Sequence, residues 1–137
     1  MRFMVIVKAN KDTEAGVMPS MELLTAMGNF NEEMVKAGVM QAGEGVHPTS
    51  KGTRIRFGGG EPAVTHGPFP LSGDLLAGFW LIETKTRDEA VAWMKRAPFE
   101  SGAEIEIRQI FAPEDFGDAF TPELREQEEL MRQQLEK

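Results

Sequence analysis

The chain contains two histidines, His47 and His66. They are its strongest candidates for acid–base chemistry, because unperturbed histidine changes its charge near neutral pH. His66 opens the sequence HGPF, which has the glycine and proline of a tight turn. General acid–base work needs a histidine and a carboxylate within hydrogen-bond reach. We therefore predict His66 as the catalytic residue, with Asp74 or Glu44 to orient it. The alternative is a turn histidine that is solvated or bonded only for structure.

A metal site would need several ligands at suitable spacing. His47 and His66 with one carboxylate could supply three, but the sequence has no H-x-x-x-H or comparable motif and contains no cysteine. We therefore expect no metal and no cofactor. His47, like His66, follows an extended segment and precedes a turn, where rigid scaffolds often present functional side chains. We predict that His47 contacts a ligand.

Two arginines in the sequence TRIRF are candidates for binding an anionic group. Arg54 and Arg56 are two residues apart, so a strand presents both on the same face, where they could clamp a carboxylate or phosphate. The alternative is a solvated strand edge with glutamate partners. Phe69 of HGPF could line a pocket beside these arginines, or belong simply to the core.

The GPF part of HGPF also has a structural explanation that needs no catalysis. Gly67 permits backbone angles that other residues avoid, Pro68 fixes the next angle, and Phe69 can anchor the loop. The functional interpretation adds that such a turn would hold His66 rigidly at the mouth of a cleft.

Composition limits the kinds of partner. The 137 residues include 15 Lys and Arg against 22 Asp and Glu, and the net charge of -7 argues against nucleic acid as the main partner. The absence of cysteine excludes disulfides and thiolate chemistry. The apolar start MRFMVIVK is too short for a membrane span or a usual signal peptide, so we expect no membrane contact and a cytoplasmic protein.

Hydrophobic periodicity gives the order of elements. The predicted elements are a strand in MRFMVIVK, a helix from the Ser20 cap to Gly38, an extended stretch VMQAGEGVHP, a hairpin of TRIRF and PAVTHG, a strand in AGFWLIET, a helix from the Thr86 cap to before Pro98, a strand in AEIEIRQI, and a tail helix capped by Thr121. This order predicts an α+β fold, the ferredoxin-like βαββαβ arrangement with an inserted β-hairpin and a C-terminal helix. We expect one domain over residues 1–120 and a helical tail over 121–137.

The strands predict an assembly as well as a fold. Both faces of the first strand and of GFWLIE are apolar, whereas right-handed crossovers place both main helices on one face of the sheet. We expect Met4, Ile6, Trp80 and Ile82 to form the opposite face. A second copy stacking sheet on sheet is the simplest cover for it, and the tail helix folding back is the competing one.

Several segments together resemble the YCII-related proteins of the DGPF subgroup. The resemblance covers nearly the whole chain, and the segments that carry it are MRFMVIVKA, AGEGVHPTSKGTRIRF, VTHGPF, GFWLIE, RDEAVAWMKRAPF and EIEIRQIFAPEDFGDAFTPELREQ. It implies a ferredoxin-like domain that assembles as a dimeric α+β barrel. The family brings no established reaction. Its members are suspected of enzymatic or ligand-binding roles, and some occur beside extracytoplasmic-function sigma factors.

The sequence departs from the subgroup at its named position, where His66 stands in place of the aspartate of DGPF. Any role of that aspartate is therefore not transferred. The prediction is a small homodimer that binds or transforms a small molecule in a cleft near the HGPF turn. The alternative is a noncatalytic regulatory or protein-interaction dimer, linked to sigma-factor-dependent transcription. His66→Ala separates the two, since only the first requires this side chain.

Overall fold

The computed structural model describes residues 1–136 as a four-stranded sheet, a separate two-stranded hairpin, and helices. The elements are β1 (Arg2–Lys8), α1 (Lys11–Glu14), α2 (Met21–Lys36), β2 (Met40–Gly45), β3 (Thr53–Arg56), β4 (Ala63–His66), β5 (Leu76–Glu83), α3 (Arg87–Met94), β6 (Ile105–Gln109) and α4 (Pro122–Leu135). Two 3₁₀ helices span Thr49–Lys51 and Pro113–Ala119. The main sheet is antiparallel in the order β2-β5-β1-β6, which confirms the predicted α+β class and is compatible with a ferredoxin-like fold.

Local signals set the ends of the helices, as the sequence predicts. The Ser20 hydroxyl accepts a hydrogen bond from the Leu23 amide at 3.1 Å, and Gly38 adopts a φ of 74° just beyond the end of α2. At the start of α3, the Thr86 hydroxyl accepts from the Glu89 amide at 3.2 Å. Thr86 and Glu89 have the T-x-x-E spacing of a capping box, but the Glu89 carboxylate accepts from the Lys85 amide instead of the Thr86 amide, so only half of the box forms.

The core lies between the helices and one face of the sheet. Strand register pairs Phe3 with Ile82 and Val5 with Trp80, and all four side chains are buried together with Phe30 and Met34 of α2 and Ala90 and Met94 of α3. Burying one such large apolar side chain stabilises the fold by about 1.5–3 kcal/mol.

The opposite face of the sheet has a different membership from the predicted one. Met4 pairs with Leu81 and Ile6 with Phe79, and these four partly exposed side chains face away from α2 and α3. The grouping of Met4 and Ile6 with Trp80 and Ile82 is therefore wrong. Alternation divides each strand into two sets, but only the register decides which sets share a face.

The inserted hairpin is confirmed as a unit apart from the main sheet. β3 and β4 pair from Thr53 with His66 to Arg56 with Ala63, and every residue of both strands is exposed. At the hairpin's base, the Gly67 amide donates to the Gly52 carbonyl at 2.9 Å. An isolated two-stranded hairpin is marginally stable, so anchoring contacts at this base hold it.

Short helices also occur in segments for which the sequence predicts no helix. The segment ANKDTEAGVMPS contains α1, whose reciprocal cap joins Asn10 and Thr13 through backbone and side-chain hydrogen bonds. The 3₁₀ helix Pro113–Ala119 precedes α4, which starts at the predicted Thr121 cap. No residue of α4 is buried, and no helix within residues 1–136 is long and apolar enough to cross a bilayer.

Candidate functional site

A cavity of about 540 Å³ lies between α2, the segment at residues 10–20, and the ends of β1, β2 and β5. Its apolar lining includes Val7, Leu23, Leu24, Met27, Trp80 and Phe99. Ligand pockets commonly have volumes of roughly 300–1,000 Å³ and predominantly apolar walls. The cavity therefore has the size and lining of a site for a small organic molecule.

Glycine in β2 lets the cavity's aromatic wall approach the backbone. A Cβ atom on Gly43 would lie 2.9 Å from Cδ1 of Trp80 and 2.6 Å from the methyl carbon of Met40. Real Cβ atoms essentially never come that close to another heavy atom, so a larger residue would displace the indole. The glycine-rich sequence QAGEG thus has a structural purpose beside the cavity.

Trp80 is the fixed wall of this cavity. Its side chain is 5% exposed and packs edge-on against Phe30 and Phe99, at ring-centroid distances of 6.1 and 6.0 Å. Its indole N–H donates to Oδ1 of Asn31 at 2.9 Å. Packing and this hydrogen bond together hold the indole in one orientation.

Charged side chains surround the apolar wall. In the part of the chain that the structure describes, Asp12, Glu44 and Glu100 line the cavity together with one cation, Lys8. The Lys8 ammonium is engaged by the Glu106 carboxylate at 3.2 Å and the Gly73 carbonyl at 2.9 Å. The hydrogen bond from Lys8, and then that from Arg108, holds the pKa of Glu106 below its ordinary value.

The HGPF turn has a structural role, but Gly67 does not have the positive φ that the predicted role implies. Close packing is the reason that glycine is needed there. A Cβ atom on Gly67 would lie 2.7 Å from the Thr49 carbonyl carbon and closer still to its oxygen, so only glycine fits. The Phe69 amide donates to Oγ1 of Thr49 at 2.9 Å. The Glu14 carboxylate accepts from the Thr49 hydroxyl at 2.5 Å and from the Thr49 amide at 3.1 Å. These contacts join the turn to α1.

His66 lies at the exposed end of β4. Its Nδ1 is 3.0 Å from the Thr53 hydroxyl, and within residues 1–136 no hydrogen bond joins it to Asp74 or Glu44. Asp74 is exposed and its amide donates to the Ser72 hydroxyl at 3.3 Å. The catalytic roles of His66 and Asp74 stay predictions, and neither residue lines the cavity.

The predicted ligand-binding residues lie around the hairpin. The Arg54 guanidinium stacks 3.9 Å from the centre of the Phe69 ring, so these two predicted residues contact each other in a cation–π pair. Arg56 is on the same hairpin face as Arg54, and Arg56 and His47 are both exposed. None of the four lines the cavity, and their role in ligand binding stays a prediction.

Sequence reasoning missed Asn31 as a cavity residue. Asn31 lies four residues after Met27 in α2 and therefore on the same side of the helix as this core-packed residue. The available signal in the sequence was a polar residue among positions expected to be buried.

Within residues 1–136, no group of three or more His, Asp or Glu side chains is arranged to hold a metal ion.

A family model for the YCII-related domain matches residues 1–114. The chain belongs to the YCII-related family. The matched region of this YCII-related protein includes the main sheet, the hairpin and α1 to α3, and α4 lies beyond it. No curated protein sequence is significantly similar to the chain.

One solved structure similar to the chain is 5-chloro-2-hydroxyhydroquinone dehydrochlorinase from Burkholderia phenoliruptrix, in complex with 2,5-dihydroxybenzoquinone. The two chains are 16% identical, with a TM-score of 0.41 over 82% of this chain and 96% of the other.

Proposed function

We propose that this YCII-related protein binds a small molecule in the cavity between α2 and the sheet. The observation that carries the proposal is the cavity itself, about 540 Å³ in volume, with a fixed aromatic wall at Trp80 and polar side chains at its edge. A largely apolar, preformed pocket with a few convergent polar groups is the usual form of a binding site. Catalysis by His66 and Asp74 is a separate proposal, which places a reaction beside the hairpin, because neither residue lines this cavity.

The proposed site differs in place from a cleft at the HGPF turn, but the two regions are connected. Thr49 accepts from the Phe69 amide and donates to Glu14 at the end of α1. Asp12 and Thr13 of the same short helix line the cavity. The turn therefore supports one wall of the cavity without lining it.

Membership of the DGPF subgroup is part of the proposal. The GPF residues occupy a turn that only glycine can make at position 67, which favours a retained structural motif. The first position of the motif, His66, is exposed and contacts Thr53. Replacement of an aspartate there needs no change in the turn.

We also propose a homodimer in which the second copy covers the face formed by Met4, Ile6, Phe79 and Leu81. These side chains are partly exposed although both main helices pack on the other side of the sheet. Stacking two such faces would remove apolar surface from water and complete the dimeric α+β barrel that the resemblance implies.

The test of ligand binding is a metabolite panel screened by thermal shift against two matched variants. Leu24 lines the cavity and is 57% exposed, and Leu24→Trp would fill the space with little effect on the core. Val35 of the same helix is 59% exposed and does not line the cavity, so Val35→Trp is the control. Compounds that raise the melting temperature of wild type and Val35→Trp should fail with Leu24→Trp. Equal shifts in all three proteins would contradict the proposed site.

The second candidate is a protein-interaction or regulatory dimer. It is favoured by apolar side chains exposed on the hairpin, where Ile55, Phe57 and Val64 are 55%, 78% and 56% exposed. Such a patch is typical of an interaction surface. Under this candidate, substitutions in the cavity leave function intact, whereas replacing Ile55 and Val64 by polar residues abolishes it. An assay of sigma-factor-dependent transcription in cells carrying each variant separates the two.

A further inference from the structure

Asn31 presents a polar group inside an otherwise apolar part of the cavity. It lies in α2 between Met27, which packs against the core, and the buried Met34. Asn31 is partly buried and lines the cavity together with Met27 and Trp80. A polar amide in such surroundings needs hydrogen-bond partners for both its oxygen and its nitrogen.

The hydrogen bond from Trp80 decides which way the Asn31 amide points. An indole N–H can only donate, so the atom facing it at 2.9 Å must be the amide oxygen, Oδ1. The amide nitrogen of Asn31, Nδ2, is then on the side of the amide away from the indole, and it carries two N–H groups. Because Trp80 is 5% exposed and wedged between Phe30 and Phe99, the orientation of the amide is fixed as well.

The two N–H groups of Asn31 are available to a ligand. Within residues 1–136, Nδ2 donates to no protein acceptor, whereas Oδ1 is satisfied by Trp80. Among the described residues, no buried side-chain nitrogen or oxygen lacks a hydrogen-bond partner, so Nδ2 is accessible from the cavity. An acceptor on the occupant of the cavity can take the place of water there.

The charges around the cavity indicate what kind of acceptor fits. Asp12, Glu44 and Glu100 line it, and the one cation among the described lining residues, Lys8, is already paired with Glu106. An anionic ligand would therefore meet carboxylates without a free cation to offset them. A neutral acceptor such as a carbonyl oxygen meets no such repulsion.

We propose that the cavity takes a neutral molecule with an apolar body and a carbonyl-type acceptor that receives a hydrogen bond from Nδ2 of Asn31. Asn31 sets the specificity for a carbonyl-type acceptor, and Trp80 is the positioning residue that holds the Asn31 amide in this orientation. This inference rests on the proposed function, because it names the class of ligand for the same cavity.

Acetophenone and ethylbenzene form a matched pair of probes, since they share an apolar body and only the first has a carbonyl. Their dissociation constants are measured by isothermal titration or NMR shift for wild type, Asn31→Asp and Asn31→Leu. The useful quantity is the ratio of the two constants, and its change between proteins cancels the different hydration of the probes. We expect each variant to weaken acetophenone by about three- to tenfold relative to ethylbenzene.

Two variants and one control keep the test decisive. Asn31→Asp keeps the oxygen that accepts from Trp80 and removes the donor, so it preserves the wall even if Asn31→Leu disturbs it. Asn29 is exposed on the same helix and outside this cavity, and Asn29→Asp should leave the ratio unchanged. An unchanged ratio in both Asn31 variants, with binding retained, overturns the role of Asn31. If wild type binds neither probe while compounds of the metabolite panel still bind in a Leu24-dependent way, this ligand class is wrong and the proposed function stands. If no panel compound binds in that way either, both fail.

Discussion

Replacing Gly67 by alanine tests whether the HGPF turn is a structural anchor. The new Cβ atom would lie 2.7 Å from the Thr49 carbonyl carbon and closer to its oxygen, both backbone atoms that cannot rotate away. The turn must then leave Thr49, which breaks the Phe69 amide bond to Oγ1 of Thr49 and the Gly67 amide bond to Gly52, each 2.9 Å long. A net contribution of about 0.5–1.5 kcal/mol per hydrogen bond predicts a loss of about 1–3 kcal/mol.

Urea unfolding followed by tryptophan fluorescence measures the global free energy, and hydrogen exchange at the Phe69 amide measures local release of the turn. Gly60→Ala is the matched control, because the same hairpin offers open space there and the backbone does not have positive φ. It should leave stability unchanged or raise it by about 0.4–1 kcal/mol. If Gly67→Ala equals wild type in both measurements, the turn is not anchored as described.

Three further predictions concern acid–base chemistry, pH and assembly. If His66 is catalytic, His66→Ala abolishes turnover of any substrate found by screening while changing stability by less than about 0.5 kcal/mol, since the side chain is exposed; retained turnover removes that role. The lowered pKa of Glu106 means that its ion pairs stabilise the fold above pH 4.5 and that this stabilisation is lost as pH falls through the lowered value. The difference in urea midpoint between wild type and Glu106→Gln should therefore vanish in acid, and a constant difference would contradict the pairing. Leu81→Lys should give a monomer in analytical ultracentrifugation at micromolar concentration, whereas Leu71→Lys on an exposed loop should not; a wild-type monomer refutes the proposed dimer.

The sequence predicts most accurately the elements that are defined by local signals, such as helix caps. The Ser20 and Thr121 hydroxyls each cap a helix by accepting a hydrogen bond from the amide three residues later, and Gly38 takes the positive φ that ends α2. The short helix α1 was missed because four residues carry no periodicity, although Asn10 supplied a cap. Order and type of elements therefore follow from the sequence, while very short helices do not.

The faces of the sheet and the cavity depend on contacts distant in sequence. Nothing near Met4 indicates whether it shares a side with Leu81 or with Trp80, because that depends on the register of β1 against β5. The cavity likewise joins Asn31 of α2 to Trp80 of β5, 49 positions apart. Sequence patterns identified residues capable of chemistry near the hairpin, but not the space enclosed elsewhere.

A chain of hydrogen bonds connects the HGPF turn to the cavity, although the residues of the turn do not line it. The Phe69 amide bonds to Thr49, Thr49 bonds to Glu14, and Glu14 ends the helix whose Asp12 and Thr13 line the cavity. A substitution that frees the turn removes one of the two hydrogen bonds made by the Thr49 hydroxyl and loosens its hold on α1. Gly67→Ala should therefore weaken ligand binding in the cavity as well as stability, whereas His66→Ala, which leaves this chain of hydrogen bonds intact, should not weaken binding. The motif can thus matter for ligand binding through backbone geometry alone, independently of the side chain at its first position.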